Sequence, residues 1–335
     1  MIYRSRAPIR VDFAGGWTDV PPFSEKEGGA VLNATINRYS YATLVPRTDR
    51  EIHIHSADFD TYVHARDVRE LEYDGNLDLI KAAIRMLGLE QGMDLHIRCD
   101  APPGSGTGSS SSIAVALIGL LNHLQDEVLA PHEVAQLART LEIQELHIAG
   151  GKQDHYAAAL GGFNYMQFLD PMVSSSPLKV PDDTVAELEK HCVLVYTGKS
   201  RLSGNIISTV MGAYGRGEAA TTDALFRIRA IAAEMKTALL RRDLRRFAEL
   251  LLDHWHQQKR LDASVTNPTI DALFETALAH GARGGKALGA GGGGCLLFLA
   301  EDNREHVLRK ALEGAGAAVL DFNFEFQGLR TWAAP

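Results

Sequence analysis

Alternation of apolar and polar residues dominates the first part of the chain. Ile9, Val11 and Phe13 alternate with Arg10 and Asp12, and the segments RYSYATLV and EIHIHS show the same period of two. A period of two is typical of a strand that buries one face. We therefore expect residues 7–65 to form strands and turns.

Helical spacing of apolar residues first appears between Leu77 and Leu87. The strand-like segment DLHIRC follows, and after it come a glycine-rich loop and an apolar helix through 117–124. Pro131 is well placed to begin another helix, because proline at the first helical position loses no needed hydrogen bond. GGFNYMQFL then predicts a strand.

Residues 170–183, DPMVSSSPLKVPDD, have the composition of an exposed connection. We place the domain boundary there, with one domain over 1–175 and the other over 185–335. The second half begins with the strand HCVLVYTG and continues with three or four helices between Ser203 and His280, one of them started by Asn267 and Pro268. It ends with the strand CLLFLA, a helix over 307–312 and the strands AAVLDF and FEFQGLRTW. Because strands and helices are mixed rather than strictly alternating, the pattern favours α+β over a doubly wound sheet.

Length and charge narrow the class of protein. A chain of 335 residues is more consistent with two domains than with one. Acidic residues outnumber basic ones by 42 to 34, which argues against a nucleic-acid partner. Three widely spaced cysteines, an N-terminus without a long apolar stretch and the lack of a membrane-spanning segment indicate a cytoplasmic protein with no membrane partner. The sequence leaves the oligomeric state open and is compatible with a homo-oligomer.

The strongest chemical signal is the segment PPGSGTGSSSS. Glycines at every second position, directly before a helix, allow backbone amides and the helix N-terminus to surround a phosphate. Neither the GxxxxGK[ST] motif nor the dinucleotide fingerprint fits, and a flexible linker would not sit between an apolar strand and an apolar helix. The candidate nucleotide-binding residues are Pro103, Gly104, Ser105, Gly106, Thr107, Gly108, Ser109, Ser110 and Ser111.

Four segments in the expected order make the sequence resemble the GHMP kinases: RAPIRVDFAGGWTD, PPGSGTGSSSS, GGKQDHYAAALGGFNY and KALGAGGGGCLLF. The resemblance implies two α+β domains with the active site in the cleft between them, and ATP and Mg²⁺ as nucleotide and cofactor. It is closest to the sugar kinases of bacterial surface polysaccharide synthesis, and fucokinase-type enzymes share much of the pattern. Trp17, Thr107 and His155 stand where other residues are commoner in this branch.

The implied reaction is phosphorylation of the anomeric hydroxyl of a sugar phosphate, D-glycero-D-manno-heptose 7-phosphate, to the 1,7-bisphosphate. One alternative is a kinase for an unphosphorylated sugar such as L-fucose or galactose. A nucleotide-binding module without catalysis is a further alternative.

The resemblance also implies roles for individual residues. Asp154 corresponds to the catalytic aspartate and Arg10 to the basic residue beside it. Because a carboxylate is a weak base toward a sugar hydroxyl, we expect Asp154 to orient the hydroxyl and accept its proton late. Ser110 and Glu142 correspond to the magnesium ligands, although Glu145 lies one helical turn later. The sugar-binding segment is Gly16, Trp17, Thr18 and Asp19.

Each role has a structural alternative. Asp154 can be explained as the N-cap of the helix HYAAAL, and Arg10 as a solvated strand residue. The glycine run 289–294 is either a plain turn or a place of close backbone packing against the nucleotide or the first glycine loop.

Two further segments carry candidate side chains. Lys199, Ser200 and Arg201 form a compact group of donors suited to a substrate phosphate, with an exposed basic loop as the alternative. The pairs His53 with His55 and His254 with His256 suggest a metal, but without a partner ligand at matching spacing we expect exposed histidines.

Overall fold

The computed structural model describes residues 1–125, 128–147, 149–199 and 204–335. Its strands are β1 (Ile2–Ala14), β2 (Gly29–Pro46), β3 (Ile52–Ser56), β4 (Thr61–Ala65), β5 (Met93–Cys99), β6 (Phe163–Leu169), β7 (Met172–Pro177), β8 (Cys192–Tyr196), β9 (Ala282–Ala287), β10 (Cys295–Ala300), β11 (Ala318–Val319) and β12 (Arg330–Ala334).

The helices are α1 (Phe23–Lys26), α2 (Asp78–Met86), α3 (Ser109–Leu124), α4 (Pro131–Thr140), α5 (Gln153–Leu160), α6 (Asp182–His191), α7 (Gly204–Gly215), α8 (Ala219–Leu240), α9 (Leu244–Leu261), α10 (Pro268–Ala279) and α11 (Glu305–Gly314). Short 3-10 turns cover Val68–Glu70 and Ala263–Val265, and a π-helical turn covers Leu141–Glu145.

The first sheet has the order β12-β1-β2-β5-β3-β4, with β6 paired to the other end of β2 and β7 paired to β6. Helices α3 and α5 both pack against β1. A hydrophobic core lies between this sheet and helices α2 to α5, and it includes Leu44, Ile54, Leu95 and Leu117. Strand β1, loop 100–108 and the start of α5 are thereby brought to one place.

The second sheet has the order β11-β8-β10-β9. A second core joins the two halves of the chain, because Phe13 of β1 packs edge to face against Phe247 of α9, with ring centroids 5.2 Å apart. The predicted α+β fold is confirmed.

The predicted boundary at 170–183 differs from the structure in two respects. Strand β7 occupies 172–177 and continues the first sheet, because pairing with β6 satisfies its backbone despite its polar composition. Strand β12 lies within the predicted second domain yet pairs with β1, joining Ala334 to Ile2.

The strands expected over AAVLDF and FEFQGLRTW are much shorter than predicted, as only 318–319 and 330–334 are strand.

Among the described residues, no helix combines the length and the apolar character needed to span a membrane.

Candidate active site

The glycine loop connects β5 to α3 as the sequence predicts. Gly104, Gly106 and Gly108 all have positive φ, and α3 begins at the next residue, Ser109. The free amides at the start of this 16-residue helix therefore open toward the loop. The hydroxyls of Ser105 and Thr107 are buried and lie 2.7 Å apart, so these two residues present backbone rather than side chains to a ligand.

The second glycine run, 289–294, packs directly against the backbone of the first glycine loop. The backbone amide of Cys295 donates to the carbonyl of Ser105 at 2.7 Å. A Cβ on Gly106 would lie 2.5 Å from the carbonyl oxygen of Leu288, and one on Gly294 would lie 2.6 Å from that of Ser105. The predicted close packing between the two glycine segments is confirmed.

Arg10 and Asp154 form an ion pair beside this loop. Nε and Nη2 of Arg10 lie 2.8 and 2.6 Å from Oδ1 of Asp154, and Nη1 donates to the carbonyl of Gly106 at 2.6 Å. Asp154 is the second residue of α5, whose N-cap is Lys152 and whose cap carries no side-chain hydrogen bond. The alternatives of a simple N-cap for Asp154 and of a solvated strand residue for Arg10, which is buried, are therefore wrong.

Ser110 and Glu142 meet on the other side of the loop. Ser110 Oγ donates to Glu142 Oε1 at 2.5 Å, and Ser111 Oγ donates to Oε2 at 3.1 Å. His155 Nε2 lies 2.7 Å from the same Oε2. Burial alone would raise the pKa of Glu142, but His155 and the two serines outweigh it and lower that pKa. The carboxylate is therefore ionised at neutral pH.

The position of Glu142 depends on the π-helical turn over Leu141–Glu145, a feature that often marks functional sites. Glu145 is exposed and accepts from the Tyr73 hydroxyl at 2.6 Å. Of the two glutamates that the sequence offers, Glu142 is the one beside Ser110.

Segment 16–19 forms a buried turn after β1. Asp19 Oδ2 accepts a hydrogen bond at 3.0 Å from the backbone amide of Gln153, the residue directly before Asp154. Burial, and then the charge of Asp154, raise the pKa of Asp19 to about 6. A Cβ on Gly16 would collide with the carboxylate of Asp12, so this position requires glycine.

The other two residues of this turn have partly structural environments. Thr18 Oγ1 donates to the Gly15 carbonyl at 2.7 Å and accepts from the Ala30 amide at 3.1 Å, which holds the turn together. Trp17 belongs to the hydrophobic cluster that includes Val193, and its indole N–H is buried without a partner among the described residues. Its role as a sugar-binding residue stays a prediction.

Lys199 is exposed after β8, and its carbonyl accepts from the Gly294 amide at 2.9 Å. The backbone of this segment therefore adjoins the second glycine run. Ser200 and Arg201 lie outside the described residues, so Lys199 is the only member of the predicted donor group whose position is described.

Comparison with known proteins agrees with this arrangement. The family description "GHMP kinases N terminal domain" matches residues 78–162, and "GHMP kinases C terminal" matches residues 235–317. D-glycero-alpha-D-manno-heptose 7-phosphate kinase of Campylobacter jejuni is 34% identical over 335 residues, covering 98% of each chain. The chain belongs to the GHMP kinase family.

Two further relatives refine the comparison. A crystal structure described as a D-glycero-D-manno-heptose 1-phosphate kinase from Bacteroides thetaiotaomicron superposes with a TM-score of 0.84 at 33% identity, covering 99% of each chain. L-fucokinase/L-fucose-1-P guanylyltransferase of Bacteroides fragilis is 30% identical over 92% of this chain but 35% of its own length. This GHMP kinase is an ATP-dependent phosphotransferase that acts on a sugar hydroxyl.

Sequence reasoning missed a buried ion pair that links the two halves of this GHMP kinase. Lys286 of β9 donates from Nζ to the carbonyl and to Oδ2 of Asp12 in β1, each at 2.9 Å, and both side chains are fully buried. Burial would raise the pKa of Asp12, but the basic groups around it, Lys286 first among them, together outweigh burial and lower that pKa. The signal was Lys286 in KALGAGGGG, a lysine between Gly285 and Ala287 directly before an apolar and glycine-rich segment.

His254 lies next to this pair and is completely buried, so the expectation of an exposed histidine is wrong. Neither ring nitrogen has a hydrogen-bond partner among the described residues. Burial and the charge of Lys286 lower the pKa of His254 to about 3, so the ring stays neutral.

Proposed function

We propose that the protein transfers the γ-phosphate of ATP to the anomeric hydroxyl of D-glycero-D-manno-heptose 7-phosphate, giving the 1,7-bisphosphate for surface polysaccharide precursors. The observation that carries a kinase function is the Arg10–Asp154 pair, which lies against the glycine loop. The similarity to the Campylobacter jejuni heptose 7-phosphate kinase along almost the whole of both chains supports this sugar.

Asp154 is suited to orienting the acceptor hydroxyl. Arg10 binds only Oδ1, so Oδ2 remains available to a substrate, and the side chain is 22% exposed. In a loose phosphoryl transfer the nucleophile keeps its proton until late. The anomeric O–H would then donate to Oδ2, and its proton would pass to the carboxylate as the new P–O bond forms and the bond to the leaving ADP breaks.

Arg10 performs two tasks in this proposal. Its contact with Asp154 holds that carboxylate in one rotamer, and its contact with Gly106 joins the pair to the glycine loop. A rigid connection between acceptor and phosphate sites holds the reacting atoms in line, which is a large part of catalysis in phosphoryl transfer.

Ser110 and Glu142 fit a magnesium ion. A hydroxyl and an ionised carboxylate are hard oxygen ligands, which Mg²⁺ prefers, and they lie together at the mouth of the glycine loop. With ATP bound, the ion would neutralise charge on the transferring phosphate. Ser111 and His155 hold the second carboxylate oxygen and so fix the direction of Glu142.

The sugar end of the site is proposed at Gly16, Trp17, Thr18 and Asp19, with the distal phosphate near Lys199. An exposed lysine beside the second glycine run is suited to a phosphate as a point charge.

A panel of sugars in an ADP-release assay tests the proposal, with ³¹P NMR of the product to locate the new phosphate. The location matters because the names of the two heptose kinases place the phosphate at different positions, 7 and 1. We expect turnover of heptose 7-phosphate and a product phosphorylated at position 1. No turnover of this substrate would refute the sugar, and turnover of L-fucose instead would favour the fucokinase alternative that the Bacteroides fragilis relative suggests.

Two variants separate the sites. Asp154→Asn should lose turnover by about 100-fold or more while ATP still binds. Lys199→Ala should raise KM for heptose 7-phosphate and leave KM for ATP unchanged. Normal turnover of a well-folded Asp154→Asn protein would show that the catalytic assignment is wrong.

A further inference from the structure

Four histidines lie on one outward face of the first sheet, at its β3–β4 edge. They are His53 and His55 of β3, His64 of β4 and His96 of β5, and the alternate residues Ile52 and Ile54 of β3 point into the core. Cross-strand register places His53 opposite both His64 and Asp94. Strands β2 and β5 separate this edge from β1, which carries Arg10, so the surface is distinct from the kinase site.

Three ligand atoms converge on this face. Glu51 Oε2 lies 3.4 Å from His53 Nε2 and 3.9 Å from His64 Nε2, and one ligand atom from each residue lies within 4.8 Å of the others. Ligand atoms around a tetrahedral zinc ion with bonds of about 2.0–2.1 Å are about 3.3 Å apart. Small side-chain rotations are therefore enough to bring the three atoms to one ion.

Asp94 provides an independent observation. Its Oδ1 lies 2.9 Å from His53 Nδ1, the ring nitrogen that faces away from Glu51 and His64. A carboxylate there accepts a hydrogen bond from Nδ1–H, which keeps the proton on Nδ1 and leaves Nε2 with a free lone pair. Histidine ligands in metal sites are held in this way by an outer carboxylate.

Arg47 supports the outer part of the cluster. Its guanidinium lies 3.2 Å from both Asp94 Oδ1 and Glu51 Oε2. The arginine thus holds the Asp94 carboxylate in place. Its contact with Glu51 is through Oε2, so Oε1 of Glu51 also remains available to an ion.

We propose that Glu51, His53 and His64 bind one divalent transition-metal ion of the zinc class, with water in the fourth position. Two imidazole nitrogens and one carboxylate favour zinc, cobalt or nickel over magnesium, so the site is selective against the ion of the kinase reaction. The bound ion would link β3, β4 and the segment before β3. Sequence reasoning named His53 but missed the other two ligands, His64 and Glu51, although Glu51 precedes His53 by the period of two.

Titration of tag-free full-length protein with Co²⁺, in excess Mg²⁺ and ATP, tests the proposal by visible absorption. We expect one equivalent to bind with the d–d bands of nitrogen and oxygen ligands and without thiolate charge transfer. His64→Gln and Glu51→Gln should abolish this equivalent, and Asp94→Asn should weaken it by about 10- to 100-fold. His96→Gln, on the same face but outside the cluster, is the matched control and should bind as the unaltered protein does.

Binding by His64→Gln as tight as that of the unaltered protein would overturn the proposal, as would thiolate bands or loss of binding in His96→Gln. Circular dichroism and kinase activity of each variant establish that it is folded. Because these side chains are partly exposed on an edge hairpin, their replacement should leave kinase activity unchanged.

Discussion

Replacing Asp19 by asparagine is expected to stabilise the protein at neutral pH. The pKa of Asp19 rises from 3.8 to about 6, first because of burial and second because of the charge of Asp154. Between these two pH values the folded protein retains a proton that the unfolded chain has lost. The free energy of unfolding therefore falls as pH rises through this range, and the lost stability stays lost above it.

The size of the effect follows from the shift. A rise of about two units corresponds to about 3 kcal/mol at neutral pH, since each unit is worth about 1.4 kcal/mol. Asparagine has the same shape, carries no charge and still offers an oxygen to the amide of Gln153, although that hydrogen bond is weaker. We expect Asp19→Asn to be more stable by about 1–3 kcal/mol at pH 7.5 and nearly equal at pH 4.5.

Urea unfolding of both proteins at several pH values between 4.5 and 7.5 measures this difference. Other titrating groups are common to both proteins and cancel in the comparison. Asp223→Asn, on an exposed position of α8, is the control and should show no pH-dependent difference. A difference between Asp19→Asn and the unaltered protein that does not change with pH would refute the reasoning. Sugar kinase activity should fall in Asp19→Asn, so stability and activity move in opposite directions.

Three other substitutions test the contacts around the site. Lys286→Met leaves the buried carboxylate of Asp12 unpaired and should lower the free energy of unfolding, measured with urea, by about 3–5 kcal/mol. Adding Asp12→Asn should restore much of this free energy. An equal loss in the double variant would contradict the ion pair. Gly106→Ala places a side chain at a φ of +76° and against the second glycine run, so ATP should bind several-fold more weakly in equilibrium titration; unchanged affinity would mean that the loop is not the nucleotide site. Glu142→Gln should raise the Mg²⁺ concentration for half-maximal activity by about tenfold or more, while Glu145→Gln should not; the reverse result would exchange the two assignments.

Local signals in the sequence predicted the parts of the site that are close in the chain. Glycines at every second position before a helix determine the loop at 104–108, and Asn267 caps α10 by accepting from Ile270 as its position predicts. Such features depend on backbone sterics and on hydrogen bonds within a few residues. The Arg10–Asp154 contact came from family resemblance, because 144 residues separate the two.

Features that depend on distant partners could not be predicted in this way. Asp12 and Lys286 are 274 residues apart, and only the packed structure shows that each neutralises the other. His254 differs, because it shares one face of α9 with Phe247, Leu251 and Leu261, so the helical period of the apolar residues predicts its burial, whereas its neighbours Asp12 and Lys286 come from distant strands. Strand β7 forms because β6 offers a free edge, which the serines of its own sequence do not indicate.

The pairing of β12 with β1 has a consequence for synthesis of the protein. Ala334 is added to the chain more than 300 residues after its partner Ile2. Until then the outer edge of β1, the strand that carries Arg10, presents unpaired amides and carbonyls to neighbouring nascent chains. The edge of β1 over residues 2–6 is thus the last part of the first sheet to be paired, and it stays unpaired while the second half is translated.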